Sequence, residues 1–155
     1  MNQEIKQAFN EQGYSFLLPI QEKAIPQILS RKNLFIQAAT GSGKTLAYLL
    51  PALEIADSAS NDTQILIITP TRELALQVSE VAKNTANYSK HHIVTVIGGL
   101  DIHKQENALR HRPTIIIGTP GRLMDLYSQK KIDLSHLLLC VVDEVDMVIS
   151  TGQRK

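Results

Sequence analysis

The run "NLFIQAATGSGKTLAYLLPALEIAD", residues 33–57, changes character twice within 25 positions. It opens on Leu34, Phe35 and Ile36, an apolar run with strand preferences. Residues 38–45, "AATGSGKT", are small, glycine-bearing and unfit for the interior of a strand or helix. From Lys44 onward leucine and alanine recur at helical spacing. A strand, a tight glycine turn and a helix in that order form the repeating unit of an α/β sheet.

The rest of the chain repeats that alternation. "QILIIT" (64–69), "HIVTVI" (92–97), "TIIIG" (114–118) and "LLLCVV" (137–142) read as further strands. They do not alternate apolar with polar, the mark of strands covered on both faces. Helical patterns occupy 44–57, 72–89, 101–110 and 121–129, and two more helices are expected near 2–12 and 20–30. Strands separated by helices must run parallel and cross over right-handedly, so the expected fold class is α/β with a predominantly parallel sheet flanked by helices. In such a sheet ligands sit beyond the carboxyl ends of the strands, and the unusual residues of this chain fall there.

Bulk properties narrow the classes. With 155 residues, 43% hydrophobic and 20% charged, the chain suits one soluble globular domain. A net charge of +1 gives no global field for nucleic acid, so phosphate contacts must come from local groups. Cys140 is the single cysteine, which excludes a disulfide framework and suits a reducing compartment. The polar start "MNQEIKQAFNEQ" is not a signal peptide, and no stretch reaches the ~20 apolar residues of a membrane span, so a cytoplasmic protein is expected.

The glycine turn carries the first chemistry. Ala38, Ala39, Thr40, Gly41, Ser42, Gly43, Lys44 and Thr45 form a phosphate loop in which backbone N–H groups curl around an anion. Lys44 adds charge beside the β- and γ-phosphates, the Thr45 hydroxyl can ligate Mg²⁺, and the following helix aims its positive end at the site. The strict pattern has glycine where this chain has Ala38.

The last strand runs directly into "DEVD", three carboxylates within four positions. Buried unpaired acids are costly, so these must meet water, a cation or basic groups. A nucleotide triphosphate brings Mg²⁺: Asp143 would bind the ion, and Glu144 would orient and deprotonate the attacking water, with Lys44 as the third catalytic group. The plainer alternative is a helix N-cap by Asp143 or Glu144.

Three further strand ends carry "PTRELA" (70–75), "GG" (98–99) and "TPGR" (119–122). Pro70, Thr71 and Arg72 offer a hydroxyl, a guanidinium and free helix N–H groups, suited to backbone phosphates. Gly98 and Gly99 let a polymer approach closely, and Thr119, Gly121 and Arg122 repeat the Thr/Arg/helix-start formula. Singly, each could be a cap, a turn or a Pro-initiated helix start.

Together with "GYSFLLPIQEKAIP" (13–26) and "DEVD", these motifs resemble the DEAD-box family of ATP-dependent RNA helicases. The resemblance covers about 13–150 and implies the first of two RecA-like P-loop domains, binding ATP, Mg²⁺ and the sugar-phosphate backbone of RNA. It makes Gln21 the adenine-reading residue, since an amide offers both a donor and an acceptor. The chain departs from the family pattern in two motifs. Leu17 and Leu18 stand where the family has Pro-Thr, and Val145 replaces alanine in the acidic motif. The resemblance also implies a Ser-Ala-Thr strand beyond "STGQRK", lying between the phosphate-loop strand and the acidic strand, and then a second RecA-like domain. The expected domain is therefore 1–155, truncated before that strand, with sheet edges left unpaired. A DNA-directed relative and a non-catalytic nucleotide- or RNA-binding module are the alternatives at this stage.

Overall fold

The computed structural model describes residues 2–152. The elements run α1 (Gln3–Glu11), α2 (Pro19–Leu29), α3 (Lys44–Ile55), β1 (Ile65–Ile68), α4 (Arg72–Thr85), β2 (Ile93–Val96), α5 (Ile102–Arg110), β3 (Ile115–Gly118), α6 (Pro120–Ser128), β4 (Leu139–Val142) and α7 (Val145–Gly152). The six helices expected from the sequence are all present. The pattern at 72–89 overshoots, because the helix is capped at Ala86 and a turn follows, closed by Ser89 N–H donating to the Ala86 carbonyl at 2.9 Å.

The four strands form one parallel sheet in the order β2-β3-β1-β4. Their register is flush: Val96 lies beside Gly118, Gly118 beside Ile68, and Ile68 beside Val142. Every strand therefore ends on the same line. Whatever follows those four residues is delivered to one edge of the sheet.

Two apolar layers hold the sheet. Ile65, Ile67, Ile93, Ile115 and Ile117 face the layer built by α1 to α4, while Leu66, Val94, Ile116 and Val96 face Leu109 of α5 and Leu123 and Leu126 of α6. The first layer is centred on α3, in which every residue from Leu46 to Leu53 is buried. A helix apolar on all sides belongs in a core, and Pro51 is accommodated within it.

Two expectations are corrected. Residues 33–38 do not form a strand: they pair with no described residue, Phe35 is 80% exposed, and only Ile36 packs against the first layer. Strand preference alone cannot make a strand without a neighbour to share its hydrogen bonds. Nor is the acidic strand covered on both faces. β4 pairs only with β1, Leu139 and Val141 reach the first layer, and Cys140 and Val142 are exposed on the other side. Among the described residues β4 is thus an edge strand of the sheet.

This packing predicts a contrast in chemical denaturation. Leu49→Ala, at a fully buried site in α3, should cost about 2–5 kcal/mol. Phe35→Ser should stay within about 0.5 kcal/mol. A large loss at Phe35 would return residues 33–38 to the core.

Candidate nucleotide and nucleic-acid site

The glycine turn closes tightly, with Ser42 N–H donating to the Ala39 carbonyl at 3.2 Å, and α3 begins at Lys44. Gly43 caps that helix in the left-handed region at φ 85°. It cannot be larger: a Cβ there would lie 2.6 Å from Gln21 Nε2 and 2.7 Å from Leu18 Cδ1. Leu18, one of the departures in the sequence, packs on the turn. Gln21 is 2% exposed and bridges two backbones, accepting from Leu18 N–H at 2.9 Å and donating to the Gly43 carbonyl at 3.2 Å. Its amide keeps a second N–H and a second lone pair beyond those bonds.

The acidic pair follows directly on β4. Asp143 N–H continues the ladder by donating to the Ile68 carbonyl at 2.9 Å, and Asp143 Oδ1 accepts from Glu144 N–H at 3.0 Å. Asp143 Oδ2 accepts from the Tyr48 phenol at 2.8 Å. Tyr48 lies one turn into α3, so this bond brings the phosphate-loop helix against the acidic strand end. Burial, then the Asp143 charge, raises the phenol well above its usual pKa, and it acts as a neutral donor. Glu144 is exposed with φ 52°, a left-handed conformation that costs a non-glycine residue of order 1–3 kcal/mol and concentrates at functional positions. Val145 is half-buried.

The donors present suit a magnesium nucleotide. Ser42 Oγ is buried without a hydrogen-bond partner, an arrangement that favours a ligand atom nearby. The first N–H groups of α3 have no intrahelical acceptor, which suits an anion. No three His, Cys, Asp or Glu side chains converge as metal ligands among the described residues. Thr45 and Asp143 are the side chains that could hold Mg²⁺, an ion that takes one or two carboxylates plus substrate phosphates.

The other three motifs meet in an open cleft of about 590 Å³ at the ends of β1, β2 and β3. Pro70, Thr71, Arg72, Gly98, Gly99, Thr119, Gly121 and Arg122 all line it, with Glu73 and Asp125 as its acids. Arg72 Nη1 donates to the Gly98 carbonyl at 3.2 Å and Arg122 Nη1 to the Leu100 carbonyl at 3.5 Å. Each guanidinium retains further N–H groups for an incoming anion. Gly99, in the left-handed region at φ 77°, lies against the Arg72 guanidinium, which a Cβ there would overlap unless that side chain moved. Gly98 meets nothing within 4 Å, and Thr71 spends its oxygen capping α4 through Leu74 N–H at 3.2 Å.

A DEAD/DEAH box helicase family model matches residues 18–155. The chain belongs to that family. It is 42% identical to the ATP-dependent RNA helicase CshA of Listeria monocytogenes over 98% of its own length and 29% of that protein. Against the DEAD-box ATP-dependent RNA helicase CshA of Bacillus subtilis the identity is 38%, over 98% and 31%. Among solved structures it resembles a hypothetical ATP-dependent RNA helicase of Sulfolobus tokodaii (TM-score 0.90, 39% identity, 98% of this chain and 44% of that one). A DEAD box protein of Methanococcus jannaschii gives a TM-score of 0.92 at 32% identity, over 98% and 42%. The fold is RecA-like, and the helicase-family chain spans about three-tenths of the length of these CshA proteins.

Two residues of the candidate site escape a reading of the sequence. Tyr48 reads as one more core aromatic in "TLAYLL", because its partner lies 95 positions away. Gln105 reads as a solvated helix residue, yet it is buried and clasps both backbone groups of Ile97, at 3.2 Å and 2.9 Å, directly before Gly98. Replacing Gln105 with Ala leaves two buried backbone groups unsatisfied, which should cost about 1–3 kcal/mol. Hydrogen exchange at 97–100 should quicken more than in β1, and uniform exchange would contradict this anchoring.

Proposed function

We propose that the chain is the N-terminal, ATP- and RNA-binding RecA-like domain of a DEAD-box RNA helicase. Its work would be to couple ATP hydrolysis to local RNA unwinding or RNP remodelling in a longer protein. The observation that carries this reading is the flush ending of the four strands, which sets the nucleotide groups at β4 and the RNA-motif cleft at β1 to β3 on one edge. Membership of the helicase family and the names of the CshA relatives support it.

In this reading Ala38, Ala39, Thr40, Gly41, Ser42, Gly43, Lys44 and Thr45 hold the phosphates, and Gln21 meets the adenine with the unused half of its amide. Thr45 and Asp143 hold the metal, which when bound offsets phosphate charge in the transition state. Glu144 orients the attacking water and accepts its proton. Arg72, Arg122, Thr71 and Thr119, with the backbone at Pro70, Gly98, Gly99 and Gly121, grip RNA sugar and phosphate, contacts that carry little base information. A second RecA-like domain would supply the arginines that complete the site, so this chain alone turns over little ATP. A cytoplasmic setting suits an RNA substrate; no described helix is long and apolar enough to cross a membrane.

Titrating labelled ATP and single-stranded RNA against the chain tests this directly. Lys44→Ala should weaken Mg-ATP binding by tenfold or more while RNA binding holds within about twofold. In a protein that carries both RecA-like domains, Glu144→Gln should retain RNA in an ATP-bound complex, because closure proceeds and hydrolysis does not. RNA release as fast as in the unsubstituted protein would remove Glu144 from the role of base.

A further inference from the structure

The phenol of Tyr48 is more than packing requires. Its ring lies in the α3 core at 6% exposure, where phenylalanine would fill the same volume. A buried hydroxyl is costly unless it finds a partner, and this one finds Asp143 Oδ2 at 2.8 Å. The other carboxylate oxygen is held by Glu144 N–H at 3.0 Å. With one bond on each oxygen the carboxylate plane is fixed, while each oxygen keeps a lone pair for a further partner. The chain turns sharply where Asp143 leaves the strand, since Glu144 adopts a left-handed conformation, and a fixed carboxylate holds its aim through that turn. Thr45 stands three residues before Tyr48 on the same helix α3. Tyr48 thus links the helix that carries Thr45 to the strand end that carries Asp143.

We propose that Tyr48 is a positioning residue that aims the Asp143 carboxylate for Mg²⁺, tying the phosphate-loop helix to the acidic strand. The proposal rests on the magnesium-nucleotide reading above. Groups that hydrogen-bond a metal-ligating carboxylate typically matter 10–100-fold in metal affinity, and preorganisation is the reason. The tie is invisible in the sequence because tyrosine and phenylalanine serve the core equally well at this position.

The experiment follows binding of the fluorescent nucleotide mant-ADP to this chain across a MgCl₂ titration and in EDTA. Tyr48→Phe should raise the Mg²⁺ concentration for half-maximal enhancement by roughly tenfold. Affinity in EDTA should change by less than about twofold, since the phosphate loop is untouched. In an Asp143→Asn background the Tyr48→Phe change should have no further effect, which a purely structural role would not produce. Independently of any variant, ¹³Cζ-tyrosine labelling of the unsubstituted chain gives one resonance for each of its four tyrosines. The Tyr48 signal should move when Mg²⁺ is added to the ADP complex. A Tyr48→Phe titration that superimposes on the unsubstituted one, or a Tyr48 signal that stays fixed as Mg²⁺ binds, would overturn the proposal alone. Binding with no Mg²⁺ dependence in the unsubstituted chain would overturn the magnesium reading itself, and the proposal with it.

Discussion

Parallel pairing with a flush register is the constraint on which everything else here depends. Four strands that run the same way and stop on the same line must discharge their following residues at one edge. Asp143, Thr69, Thr119 and Ile97 are those next residues, and each motif starts at or just beyond them. Backbone hydrogen bonds continue across that line: Asp143 N–H to Ile68, Thr69 N–H to Gly118, and Thr119 N–H to Val96, at 2.9–3.1 Å. The site is therefore rigid where it leaves the sheet. An antiparallel neighbour at any position would have sent one motif to the opposite edge.

Helices complete what the strands begin. α3 presents its N-terminus at the glycine turn and, one turn later, the phenol on Asp143. α4 and α6 supply Arg72 and Arg122, both tethered to carbonyls of the 98–100 loop. α5 supplies Gln105, which fixes the same loop from beneath. The loop that links β2 to α5 is thus held by three separate helices, although its own residues are mostly without side chains that could hold it. The nucleotide groups and the cleft share β1 as a common wall, which gives a physical route by which one ligand could bias the position of the other.

Much of this was legible in the residues. The helices α1 to α6, the strands β1 to β4, the tight glycine turn before α3 and the gathering of three motifs at strand ends follow from periodicity, glycine and the Thr/Arg pairs. What was not legible depends on distant partners. Residues 33–38 carry every local preference of a strand, yet pairing is decided by a neighbour that no described residue provides. Gly99 reads locally as a loop glycine, and only the tertiary fold brings the Arg72 guanidinium against it. Tyr48 and Gln105 are ordinary choices for their helices, and their roles appear only across 95 and 8 positions of separation.

The glycine turn and the acidic strand end must serve one magnesium nucleotide if the chain is an ATP-driven domain. A crystal structure of the chain with Mg²⁺ and a non-hydrolysable ATP analogue decides this most directly. The β-phosphate should lie within hydrogen-bond reach of the N–H groups of residues 41–45, with the metal between Thr45 Oγ1 and Asp143. A nucleotide bound elsewhere, or a metal that leaves Asp143 out of both its inner and water-bridged shells, would contradict it.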